Sequence, residues 1–239
     1  MNYRFGRSPG FAKNRSKSAT LLLQLLFVEN QVLFTYMNAT ATRVTAAGQV
    51  RQRVQALRGG SFLRATNFAP DFGTRAAIEV ALARLVNDGE LIRVRNGLYW
   101  RGSSTPFGML GPTPLQVALE IGGPGSGPSG LSAARMLGLT TQVPATVEVA
   151  VPGKVPMPLE GVRFRSRPHQ RMTRKLRPIE VAILEVLREP ATSELPWSES
   201  AERIEEFLGQ HDVRQSVLEA EVTEESSRGA RERWLAIVG

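Results

Sequence analysis

The 239-residue chain has no cysteine. Disulfides, thiolate nucleophiles and cysteine-ligated zinc are therefore excluded. Histidine is nearly absent as well: His169 and His211 are the only two. Two imidazoles are too few for a multi-histidine metal site. Both stand in charged segments, not in the setting a Ser-His-Asp hydrolase requires. No apolar run is long enough to span a bilayer. The longest begins Ala19 to Val28, and extending it to Tyr36 takes in Gln24, Glu29, Asn30 and Gln31, which are costly in hydrocarbon. Aromatics make up 7%, and near the basic segment of residues 91–101 only Tyr99 and Trp100 are placed to stack on a base.

The rest of the composition is that of a folded protein, with 42% apolar and 22% charged residues. The length suits one large domain or two small ones and buries a core without staples. The net charge of +8 and an isoelectric point near 10.7 favour an anionic partner. That charge is unevenly spread. Residues 1–18 carry +5, residues 43–101 carry +6, residues 160–178 carry +6, and residues 179–239 carry −8. Two basic blocks thus flank a neutral stretch and precede an acidic tail, which points to defined polyanion-facing surfaces, not to general stickiness.

Residues 1–42 form an N-terminal extension. Its first part, residues 1–36, supports three readings: sequence upstream of a true start at Met37, an extra helix, or a secretory signal with Ala39-Thr40-Ala41 as the cleavage site.

Residues 43–103 read as a winged helix-turn-helix. In residues 46–57, Val50, Val54 and Leu57 stand at helical spacing, and Gly59-Gly60 stops that helix. Ser61 is expected to cap a short second helix with Phe62, Leu63 and Phe68 apolar, followed by a turn at Pro70–Gly73. Thr74 caps a third helix to about Asn87, its apolar face being Ile78, Ala81 or Leu82, and Leu85. Its outward face is Ala76, Val80, Ala83 and Asn87. Asp88-Gly89 ends it. A hairpin then follows, with Asn96-Gly97 expected to form a type I′ turn in which both residues take positive φ. In such a module the third helix enters the major groove and the hairpin touches phosphates or the minor groove. The same fold also serves as a protein adaptor.

Residues 104–239 read as a mixed α/β domain, so the chain is expected to be α+β. Helices are expected over 114–121, 129–137, 178–187, 198–208, 213–221 and 228–237, and strands over 145–151 and 161–167. The glycine-rich run 122–130 lacks the Gly-Lys-Ser/Thr ending of a phosphate loop and reads as a turn before a helix. Gly125-Ser126 is followed by no acidic pair, as a nucleotidyltransferase would need for its two metal ions. The residues show no catalytic constellation, and no enzyme activity, metal or cofactor is expected. A second basic patch comprises Arg163, Arg165, Arg167, Arg171, Arg174, Lys175 and Arg177. The odd positions 163–167 share one strand face. That stripe either faces an anion or is balanced by the acidic C-terminal helices, through Glu199, Glu202, Glu205 or Glu206.

Residues 74–100, the connector 104–108 and the run PSGLSAARMLGLTTQVPATVEVAVPG (128–153) resemble the AbiE-type abortive-infection antitoxins and related antitoxin-like regulators. The likeness covers roughly residues 43–190. It implies a bacterial cytoplasmic protein that binds inverted repeats in double-stranded DNA upstream of its own operon and represses it. It also implies a nucleotidyltransferase-like toxin as partner, with antitoxicity in the C-terminal domain. Carried over by the resemblance, the DNA-binding positions are Thr74, Arg75 and Arg84 on the third helix and Arg93, Arg95, Asn96 and Gly97 on the hairpin. No membrane partner is expected, and repeated operators imply two copies on DNA. The alternatives are a solitary winged-helix regulator without a toxin and an RNA-binding or adaptor protein.

Overall fold

The computed structural model describes residues 45–68, 70–210 and 213–239. The N-terminal segment with its three readings, Met37 and His211 lie outside the described residues.

The first helix, α1 (Ala46–Ala56), starts where Thr45 accepts a hydrogen bond from the Gly48 N–H at 3.2 Å. It buries Val50 and Val54, as their spacing predicts. The next segment departs from expectation. Ser61–Leu63 is a strand, β1, not a capped helix. Two 3₁₀ turns follow, Ala65–Asn67 and Pro70–Phe72. The reason is tertiary: β1 pairs antiparallel with a later strand, and Phe62 lies against Trp100 with ring centroids 4.6 Å apart. An aromatic cross-strand pair outweighs a weak local helical signal. Helix α2 (Arg75–Asn87) is capped by Thr74, whose hydroxyl accepts from the Ala77 N–H at 3.2 Å. Both Ala81 and Leu82 are buried with Ile78 and Leu85.

Strands β2 (Ile92–Arg95) and β3 (Leu98–Arg101) form the expected hairpin, and the sheet order is β1-β3-β2. The turn is not type I′. Among the described non-glycine residues only Lys175 has positive φ, so Asn96 does not adopt the left-handed backbone that turn demands. Gly97 alone does, at φ +71°, and the strand register shifts between Arg93 and Arg95. A bulge absorbs the mismatch, leaving glycine at the one strained position. One apolar cluster joins α1, α2, the first 3₁₀ turn and the sheet through Val50, Val54, Leu63, Ile78, Leu82 and Tyr99.

A tight ribbon of β4 (Ser104–Thr105) and β5 (Gly108–Met109) follows. The Trp100 indole N–H donates to the Leu110 carbonyl at 2.9 Å, fastening this connector to the sheet. Helix α3 (Pro114–Gly122) opens with a capping box, in which Thr113 and Gln116 satisfy each other's backbone N–H groups. The glycine-rich run carries the short strand β6 (Gly127–Pro128) and leads into α4 (Gly130–Met136). Its residues 125–130 are buried. A Cβ on Gly127 would stand 2.4 Å from that of Val181, so glycine here serves close packing.

The second sheet has the order β6-β7-β8, with β7 (Val147–Pro152) parallel to β8 (Val162–Arg167). One face buries Val149 and Val151 with Ala118 of α3. On the other side Ala150 joins Ala133 and Ala134 of α4 and the apolar residues Val181, Ala182, Ile183, Leu184, Val186 and Leu187 of α6 (Pro178–Arg188) in the largest core cluster. Between sheet and α6 runs one helical turn, α5 (Gln170–Thr173). The final helices, α7 (Trp197–Gln210), α8 (Gln215–Glu224) and α9 (Arg228–Val238), complete that core with Ile204, Leu218 and Trp234. The architecture is α+β. Its apolar clusters divide between residues 50–99 and residues 115–237.

Candidate nucleic-acid interface

The outward face of α2 and the β2–β3 hairpin enclose a groove of about 650 Å³. From α2 it receives Arg75, Ala76, Glu79, Val80 and Ala83, and from the hairpin Arg93, Asn96, Gly97 and Tyr99. The α2 residues recur at intervals of three and four, one continuous stripe of a helix. Opposite them, Arg93 pairs in register with Tyr99, whose buried ring lies beneath exposed polar side chains.

The sequence-derived positions separate into those inside the groove and those outside it. Arg75, Arg93, Asn96 and Gly97 come together in it. Thr74 is exposed at its end, but its hydroxyl is engaged in capping α2. Arg95 is half-buried and does not line the groove. Arg84 is on another side of α2, in a hollow shared with Thr45, Arg51 and Asp88 of the α1–α2 pair. Arg84 thus does not line the groove with Arg75: it stands nine residues further on, two and a half turns, which carries it round the helix.

Ala76, Val80 and Ala83 of the expected outward face line the groove, Asn87 of that face does not, and Glu79 joins them from beside it. Glu79 accepts a hydrogen bond from the Arg75 Nε at 2.9 Å, an exposed i,i+4 pair. The i,i+4 spacing of Arg75 and Glu79 is legible in the sequence, whereas the place of the acid in the groove follows from the packing of the hairpin. Across the groove the Arg93 guanidinium donates to the Asn96 side-chain oxygen at 3.0 Å. Two arginines are thus held by short local contacts at the edges, and small side chains lie between.

The second basic patch is arranged differently. Arg163, Arg165 and Arg167 share one face of β8, and each meets a carboxylate. Arg163 donates to Glu148 at 3.0 Å, Arg165 to Glu148 and Glu189, and Arg167 to Glu185. Arg174 is bound by Glu221 and Glu224 of α8. Arg171 is fully buried, 2.7 Å from Glu185, 3.4 Å from Glu221 and 3.5 Å from Glu225. The stripe is balanced internally, but by carboxylates of β7, α6 and α8 in place of the expected α7 residues Glu199, Glu202, Glu205 and Glu206. Arg165 and Arg167 are partly withdrawn from solvent and Arg171 wholly so, and a buried charge requires a partner. Lys175 and Arg177 are exposed at the start of α6.

The protonation equilibria agree with that pairing. Burial pushes the Glu185 carboxyl up, but hydrogen bonds from Arg167 and the charge of Arg171 outweigh it and leave it below its ordinary value. Glu225 is likewise lowered despite burial, by the charge and hydrogen bond of Arg188. Glu180 is lowered despite burial by hydrogen bonds from Arg214 and the Arg177 backbone N–H. Arg167 is raised, chiefly by its hydrogen bond to Glu185. Among the described residues no cluster of three or more His, Cys, Asp or Glu could hold a metal ion, and no helix is long and apolar enough to cross a membrane.

Residues 49–156 match a family of unknown function, DUF6088. That segment runs from α1 through β7. No curated protein matches the chain. Among solved structures, the RV2827C protein from Mycobacterium tuberculosis is similar at 16% identity and a TM-score of 0.42, over 80% of this chain and 74% of that one.

Proposed function

We propose that the segment from α1 to β3 is a winged helix-turn-helix and that the protein is a double-stranded-DNA-binding autorepressor. In this reading the two 3₁₀ turns stand in for the second helix, α2 is the recognition helix, and the β2–β3 hairpin is the wing. The observation that carries it is the groove in which Arg75 and the small outward residues of α2 face Arg93 and Asn96 of the hairpin. A major groove about 12 Å wide admits such a helix, and flanking arginines suit phosphates and guanine edges. The internal pairing of Arg163, Arg165, Arg167, Arg171 and Arg174 supports seeking the DNA contact in the N-terminal half. The role of antitoxin to a nucleotidyltransferase-like toxin is proposed on the sequence resemblance of residues 74–100, 104–108 and 128–153. A solitary regulator is the reading without it.

The test is binding to a duplex from the protein's own upstream region, against a scrambled duplex, across salt. The expected result is a preference for its own sequence and a log–log salt slope of about −5, for roughly six phosphates neutralised. Arg75→Ala reduces the preference. Arg93→Ala weakens binding to both duplexes, and Arg95→Ala does so less, because its half-buried side chain stands outside the groove. Equal, weak binding to both duplexes by the unaltered protein removes the repressor reading.

A further inference from the structure

We infer that the reading face of α2 recognises thymine through its C5-methyl group, so that the preferred site holds a short block of A·T pairs read by apolar contact. This inference rests on the DNA-binding reading above. Its starting point is what the centre of the groove lacks. Beside Arg75 and Glu79, its helical wall is a stripe of Ala76, Val80 and Ala83, and none of these three can donate or accept a side-chain hydrogen bond. Val80 is 52% exposed, an apolar side chain left in water on a helix whose Ile78, Leu82 and Leu85 are buried. The base-edge group in the major groove that an apolar side chain matches is the thymine methyl.

The geometry sets the extent. From Ala76 to Ala83 the helix rises about 10 Å at 1.5 Å per residue. Base pairs are spaced about 3.4 Å apart, so the stripe faces about three of them. Small side chains at both ends bring the helix backbone near the bases, and Val80 projects between them. The polar reading groups flank the stripe, Arg75 at its N-terminal end and Glu79 level with Val80. Arg75 matches guanine O6 and N7, and Glu79 matches the cytosine N4 amine. Arg93 and Asn96, across the groove on the hairpin, are placed for backbone contact and add no base preference.

The experiment starts with the full chain and a randomised duplex library, from which a preferred sequence is enriched. Each thymine of that sequence is then replaced singly by deoxyuridine, which removes the methyl and keeps every hydrogen-bonding group. The expected result is a loss of about fourfold in affinity for each contacted methyl, confined to a block of about three adjacent positions. Val80→Ser brings the thymine-to-uracil ratio at its position close to one. Arg93→Ala weakens both forms alike and leaves the ratio unchanged. Val80 is exposed, so its replacement does not disturb the core. If a sequence is enriched but deoxyuridine binds as well as thymine throughout, methyl readout is overturned while DNA recognition stands. If no sequence is enriched, both readings fall, and the apolar face becomes a surface for a protein.

Discussion

Arg171 shows how a residue that looks like a ligand-binding cation can be part of the scaffold. It has no exposed surface, and three carboxylates, Glu185, Glu221 and Glu225, come within 3.5 Å of its guanidinium. These belong to α6, α8 and the residue after α8, so one side chain from α5 joins the sheet side of the domain to its C-terminal helices. Removing one partner of a buried ion pair costs about 3–5 kcal/mol, because the remaining charges stay buried and unpaired. Arg171→Ala is therefore expected to lower the melting temperature by about 10 °C, at a few degrees per kcal/mol for a chain of this size. Calorimetry on the variant checks it. Arg163→Ala is the control: its side chain is largely exposed and Glu148 keeps Arg165 as a partner, so the variant lowers stability by no more than about 1 kcal/mol. A melt unchanged by Arg171→Ala would mean that the network gives no net stability.

At the scale of elements, the hairpin depends on Gly97. Its φ of +71° lies in the left-handed region, and a Cβ there would meet nothing within 4 Å. The cost of Gly97→Ala is therefore backbone strain alone, about 1 kcal/mol. The larger consequence is for the groove: relieving that strain moves Arg93 and Asn96, which sit on either side of the bulge. Duplex binding is expected to weaken several-fold with a small change in melting, whereas Gly97→Asn, which tolerates positive φ, keeps both near the original. The same hairpin shows how far sequence reading reaches. The Asn96-Gly97 pair located the turn, because few other dipeptides reverse a strand so tightly. It did not give the turn type, which depends on the register against β3. Likewise the spacing of Ile78, Leu82 and Leu85 announced α2 and its outward face, whereas β1 was read as a helix. Three residues, Ser61–Leu63, are too few for periodicity to decide, and their partner Trp100 stands nearly forty positions away. The site was legible where it lay on one helix face. Its acid, Glu79, and the departure of Arg84 from the groove needed the packing of the hairpin and α1.

On the scale of the whole molecule, charge and fold are partitioned together. The apolar cluster of residues 50–99 contains no buried carboxylate, whereas the C-terminal part buries Glu180, Glu185, Glu221 and Glu225. Three of these, Glu180, Glu185 and Glu225, hold pKa values below the ordinary one when folded. A carboxyl lowered in the folded state binds a proton more readily when unfolded, so stability rises with pH across that range. The contribution is complete above the unfolded value near 4.5 and is lost as the pH falls through the lower folded value. Protonation also leaves Arg167 and Arg171 without counter-charges in a covered site. The C-terminal part is therefore expected to open at a higher pH than the N-terminal part when the protein is acidified. Hydrogen exchange, corrected for its intrinsic pH dependence, resolves the order: amides of α6, α8 and α9 lose protection while those of α1 and α2 keep it. Glu185→Gln removes one titrating group and flattens the slope of C-terminal stability against pH. Simultaneous loss of protection in both parts would show that they unfold as one unit and that the buried carboxylates do not set the order.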